Sequence, residues 1–139
     1  MGYANTVIAI QTYTPSDNII VSNDAVKAVP ATGVWVKVKE ITLSSTIGSA
    51  SLFRFYFEAA EIGGGTNRAQ IYRNEVAVGT DSGEVPGGGG YTSYTEDIVT
   101  TNFVLGDRIQ LYGKTNAAGM SVRNFRIKGD GSEWENTVV

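Results

Sequence analysis

The stretch Leu52 to Glu58, LFRFYFE, decides the fold. Its residues alternate strictly: Phe53, Phe55 and Phe57 fall on one side of an extended chain, and Leu52, Arg54, Tyr56 and Glu58 on the other. A period of two is the signature of a β-strand with one face buried, so the three phenylalanines are expected at the centre of a core.

Outward from this strand the same pattern recurs. Towards the N-terminus, Val34 to Leu43 alternates with Val34, Val36 and Val38 on one face, then switches parity past Lys39 to Ile41 and Leu43. Within one strand such a switch predicts a bulge, or a bend that carries the chain into a second sheet. Earlier still, Thr6 to Tyr13 and Ile19 to Ser22 read as strands separated by a turn at Pro15-Ser16-Asp17-Asn18, where proline presets φ and the Asx side chains bond their own backbone.

Towards the C-terminus, Gly63-Gly64-Gly65 ends the aromatic strand. Arg68 to Arg73 and Val76 to Thr80 flank Asn74-Glu75 as a two-residue hairpin. Asp81 to Gly90, DSGEVPGGGG, is the longest loop; Tyr91 to Ile98 is a strand; and Gly106-Asp107 turns into Arg108 to Lys114. The last strand is Met120 to Lys128, with Phe125 and Ile127 inward and Arg126 and Lys128 outward. No segment carries a helical period over eleven residues or more, and no repeat of fixed length recurs. The expectation is an all-β fold, an antiparallel β-sandwich of jelly-roll type with eight or nine strands. Residues 1–128 form its single domain, and 129–139 form a C-terminal tail acting as an inter-subunit arm.

Composition narrows the chemistry. The 139 residues contain neither cysteine nor histidine, which removes disulfides, thiolate metal sites and every nucleophile that relies on a histidine base. Eleven Lys and Arg residues are scattered among fourteen acidic ones, giving a formal charge of −3, so no basic stripe suited to nucleic acid exists. No run reaches the roughly 18 apolar residues that span a bilayer, and the start MGYANTVIAIQTYTP lacks the plan of a signal peptide. A soluble domain without a membrane or nucleic-acid partner is expected.

The second half, IYRNEVAVGT, YTEDI, LGDRIQLYGKT and VRNFRIKGD, resembles the closing strands of β-sandwich modules in structural proteins of phages and archaeal viruses. Its Gly-Asp turn followed by a strand with an inward phenylalanine is also similar to the end of trimeric jelly rolls of the C1q and tumour-necrosis-factor type. The resemblance implies a module that decorates, cements or forms part of an assembly at a virion or extracellular surface, a homo-oligomer with a trimer favoured. It brings no functional residues with it.

Several residue groups remain as candidates for chemistry. Glu58 and Glu61 could form a paired-carboxylate site, but solvated strand-end acids are the expected reading. Asp81, Glu84, Glu96, Asp97 and Asp107 offer oxygens that suit calcium, though at no recognised spacing, and ordinary turn acids are expected. The glycine runs lack the helix and Lys or Ser/Thr that a phosphate cradle needs. No catalytic residue, metal or cofactor is therefore assigned, and the chain is expected not to be an enzyme.

Aromatic residues form the last group: Trp35, Tyr56, Tyr72, Tyr91, Tyr94 and Tyr112 could stack on sugars or fill a subunit interface. Trp35 alternates with Lys37 and Lys39 and so faces away from the core. The interface or ligand platform is assigned to Trp35, Tyr91, Tyr94, Trp134, Val138 and Val139. A structural assembly protein is the leading expectation, with a carbohydrate-binding or adhesive module as the alternative.

Overall fold

The computed structural model describes residues 6–44, 47–48, 50–117 and 119–138, and among these there is no helix. Nine strands follow one another: β1 (Thr6–Asn23), β2 (Lys27–Val29), β3 (Val36–Thr42), β4 (Ser51–Glu61) and β5 (Asn67–Arg73), then β6 (Val76–Ala77), β7 (Thr92–Phe103), β8 (Arg108–Thr115) and β9 (Met120–Val138). They form two antiparallel sheets packed as a sandwich. The first has the order β1-β9-β4-β7, with β2 also on β9; the second is β3-β8-β5-β6.

The aromatic strand sits where its alternation predicts. Phe53, Phe55 and Phe57 of β4 are buried, and Phe53 and Phe55 meet Phe103 of β7 with ring centroids 5.6 and 5.3 Å apart. Ile71, Ile109 and Leu111 close the core from the second sheet, and Phe125 and Ile127 of β9 close it from the first. Each such side chain contributes about 1.5–3 kcal/mol by leaving water.

The parity switch in β3 is a bulge. Lys37 pairs with Tyr112 and Lys39 with Leu111, so Val38 is the extra residue. The strand stays in its sheet, and the chain crosses to the first sheet only after Thr42. The bulge turns Lys39 inward, 5% exposed, where its Nζ donates to Asn23 Oδ1 at 2.9 Å and burial pushes its pKa down. Lys39 therefore does not share the outer face with Trp35 and Lys37.

The Asn74-Glu75 hairpin is present, both residues having positive φ (49° and 67°) as a twisted two-residue turn requires. Its second strand is shorter than expected, Val76–Ala77. Pro15 to Asn18 do not separate two strands; they bulge from one long β1, with Thr14 opposite Asp130 and Ile19 opposite Lys128. A side chain at the intervening Gly129 would put its Cβ 2.9 Å from the Thr14 carbonyl oxygen, so only glycine fits.

Residues 129–138 are not a tail. They continue β9, and Asp130 to Val138 pair residue by residue with Thr14 to Thr6.

Candidate binding surfaces

The pairing of Thr6–Thr14 with Asp130–Val138 makes a two-stranded ribbon that outruns the rest of its sheet. The pairing of β4 with β9 ends at Arg54 opposite Lys128, one turn of the strand before the ribbon begins. β1 is also held to the body of the sandwich by Gln11, which bridges Ile47 and whose carbonyl accepts the Gly48 N–H at 2.6 Å, and by buried Tyr13, whose N–H donates to Ser51 Oγ at 3.2 Å and whose ring lies 5.3 Å from that of Phe53. The five residues from Thr6 to Ile10 lie beyond these contacts, and at about 3.4 Å each they give roughly 17 Å of ribbon. Trp134 lies opposite Ile10 and Val138 opposite Thr6; Val139 falls outside the described residues.

A second surface covers the outer face of the β3-β8-β5-β6 sheet. Gln70 pairs with Tyr112 and Tyr72 with Gln110, so the two tyrosines are diagonal neighbours, and their rings stack at 3.8 Å and 8°. Trp35, immediately before β3, lies 6.4 Å from the Tyr72 ring, with Lys114 Nζ 6.0 Å from its own. Burial raises the Tyr72 pKa. Beside the rings runs a polar network: buried Gln110 donates to Glu40 at 2.8 Å and to Glu75 at 2.9 Å, and Lys37 bonds Glu40 at 3.1 Å. The Gln110 and Lys37 hydrogen bonds lower the Glu40 pKa. Tyr72 and Tyr112 were members of the aromatic pool, but only the register of β5 on β8 brings them to Trp35.

Tyr91 and Tyr94 do not form one platform. Three positions apart on an extended chain, they take opposite faces. Tyr91 lies under the Arg123 guanidinium, 3.7 Å from its Cζ, on the outer face of the first sheet. There Arg123 Nε donates to Glu58 at 2.8 Å, and Glu58 also accepts from the Tyr56 hydroxyl (2.6 Å) and Asn124 Nδ2 (3.0 Å). These bonds, the Tyr56 hydroxyl foremost, hold the Glu58 pKa down to about 2. A carboxyl so held cannot serve as the general acid of a Glu58–Glu61 pair near neutral pH.

Tyr94 points the other way and stacks on Phe57, the rings 5.0 Å apart and 15° from parallel. This pair floors a cleft of about 180 Å³, walled by Thr80, Asp81 and Ser82 on one side and Thr95 and Glu96 on the other. The 79–85 segment lies along β5: Gly79 N–H reaches Ile71 O, Ser82 N–H reaches Ala69 O, and Val85 N–H reaches Asn67 O, while the Val85 side chain is buried. That anchoring fixes one wall of the cleft.

The acids whose oxygens would suit calcium do not converge. Asp81 pairs with Arg68 at 3.2 Å, Asp97 with Arg54 at 2.7 Å and Asp107 with Arg73 at 2.8 Å, and Glu84 is exposed. Among the described residues no three acidic groups gather round a point.

Fold and surfaces together define a two-sheet antiparallel β-sandwich with a projecting ribbon, an aromatic outer face and an edge cleft. No protein-family model and no curated protein matches the chain. Among solved structures it is similar to the enzymatically active domain of tailspike protein 4 of bacteriophage CBA120, with a TM-score of 0.46 and 15% identity over 89% of this chain. The chain spans 19% of that one, and a likeness at this level carries no argument about activity.

Proposed function

We propose that this protein is a non-enzymatic structural module of jelly-roll type that works as a homo-oligomer, a trimer favoured, in a virion or comparable surface assembly. The observation that carries the reading is the ribbon. A two-stranded ribbon standing alone in water is marginally stable, and one with open backbone edges is a template for pairing with another chain. The five residue pairs from Thr6–Val138 to Ile10–Trp134, beyond the contacts made at Gln11 and Tyr13, are well explained by a neighbour that covers them. Strand order supports the jelly-roll part: apart from the short β2, the strands divide four and four, and successive strands repeatedly cross between the sheets.

Light scattering on the full chain and on a version ending at Asp130 tests the proposal. A closed oligomer that dissociates on truncation, while the sandwich still melts cooperatively, is the expected result. A monomer in both forms would remove it.

A second reading, a glycan-binding or adhesive module, draws support from the Trp35, Tyr72 and Tyr112 cluster, because half-exposed aromatic rings among polar groups suit sugar rings. A glycan array without a hit would count against it.

A further inference from the structure

The cleft beside β7 offers something that the flatter Trp35 face does not. It is concave, and the parts of its lining differ in chemistry. The Tyr94 ring is held against Phe57 before any ligand arrives, so presenting it to a ligand requires little ordering. Thr80 and Ser82 line the opposite wall, the Ser82 hydroxyl accepting the Ala69 N–H at 3.0 Å and donating to the Gly83 carbonyl at 2.8 Å.

The two carboxylates of the lining are unequal. Asp81 is neutralised by Arg68 and accepts the Gly83 N–H at 2.9 Å. Glu96 accepts only the Thr80 N–H, shared between its two oxygens at 3.0 Å each, and no cation pairs with it among the described residues. An ionised carboxylate has about four acceptor sites. Glu96 therefore brings both spare acceptor capacity and an uncompensated negative charge to the cleft.

We propose that this cleft is a subsite for one uncharged pyranose ring, the terminal sugar of a glycan. The proposal rests on the glycan-binding reading and assigns it to the cleft instead of the Trp35 face. A pyranose has an apolar C–H face for an aromatic ring and a rim of hydroxyls for a carboxylate, and the cleft supplies both in Tyr94 and Glu96. Its size points the same way: about 180 Å³ is below the roughly 300 Å³ at which pockets for drug-sized ligands begin, so it takes a single ring and not a chain. Glu96 sets the selectivity, because its charge disfavours uronic, sialic and sulfated sugars. So small a ligand gives roughly millimolar affinity per site, which an oligomer would raise through avidity.

Saturation-transfer NMR on the full chain, with glucose, galactose, mannose, N-acetylglucosamine and glucuronic acid as probes, tests the proposal. At least one neutral sugar should show transfer and glucuronic acid none. Tyr94→Ala should abolish the signal; Glu96→Gln, whose amide oxygen can still accept the Thr80 N–H, should weaken neutral-sugar binding about tenfold and narrow the discrimination against glucuronic acid. Trp35→Ala should change nothing. Thermal melts establish that each variant is folded, and Glu96→Gln keeps the test decisive if Tyr94→Ala is not. Binding lost in Trp35→Ala but kept in Glu96→Gln would overturn the site and leave the glycan reading standing. No transfer from any neutral sugar at tens of millimolar would overturn both.

Discussion

At position 58 a carboxylate is gripped by a phenol, an amide and a guanidinium, with its side chain only 14% exposed. Its pKa of about 2 in the folded chain lies below the ordinary 4.5, so the group stabilises the fold fully above about pH 4.5 and loses that contribution as the pH falls towards 2. Asp24, with its pKa lowered chiefly by Arg126, and Asp97, lowered chiefly by Arg54, add to the same acid limb. Glu58→Gln should lower stability at neutral pH by about 1–3 kcal/mol and flatten the decline between pH 5 and 2, read by chemical denaturation across that range. An unchanged acid limb would mean that the network is not formed in solution. Ala50 offers the opposite case. Its φ of 63° places a β-carbon in the left-handed region on an exposed turn, and Ala50→Gly should gain about 0.5–1 kcal/mol in the same assay.

Among the elements, the turn before β8, where the chain crosses from the first sheet to the second, is tied to the β5–β6 hairpin. The Asp107 carboxylate, 6% exposed, accepts from Val104 N–H at 2.9 Å, Arg73 Nε at 2.8 Å and Asn74 Nδ2 at 3.1 Å. Burial pushes its pKa up, but the three donors prevail and lower it overall. Asp107→Ala leaves Arg73 without its anion and two further donors unsatisfied, so a loss of about 3–5 kcal/mol in the unfolding free energy is expected, with the β5–β6 hairpin the first region to lose hydrogen-exchange protection. The turn itself was legible as Gly-Asp, because turn chemistry is local. So were the alternation of Phe53, Phe55 and Phe57, the twisted turn at Asn74-Glu75 and the parity switch that proved to be the β3 bulge. The second half of β9 was not legible, because Asp130-Gly131-Ser132 carries turn residues and its partner lies more than a hundred positions away in β1. The short β2 and the stretch of β7 beyond Ile98 lack alternation and exist only because β9 and β4 lie beside them. The cleft was invisible for the same reason. Tyr94 was singled out and Glu96 weighed only for calcium, but Phe57, residues 80–82 and residues 94–96 meet through sheet pairing and the course of the 79–85 segment.

For the molecule as a whole, the decisive contact joins its two ends. Thr6 pairs with Val138, and the strands they belong to stay paired from there into the body of the sandwich. The first sheet therefore cannot be completed until the last strand is present, and such non-local pairing slows folding because a long loop must close before the contacts compensate. It also makes the chain a candidate for circular permutation. A two-residue Asn-Gly turn from Val138 to Thr6 would convert the open ribbon into a hairpin. New ends between Gly88 and Gly89 would fall where both residues have positive φ (112° and 80°) and no neighbouring atom within 4 Å of a notional β-carbon, so no packing is cut. Such a permutant should fold, melt cooperatively within a few degrees of the parent and refold faster, since the most distant pairing has become local. Thermal melting followed by circular dichroism, with refolding kinetics from denaturant, reads all three. A permutant that remains unfolded would show that β1 and β9 do not pair within one chain as drawn. One that folds but no longer associates would place the subunit contact at the ribbon tip, where the new turn has been built.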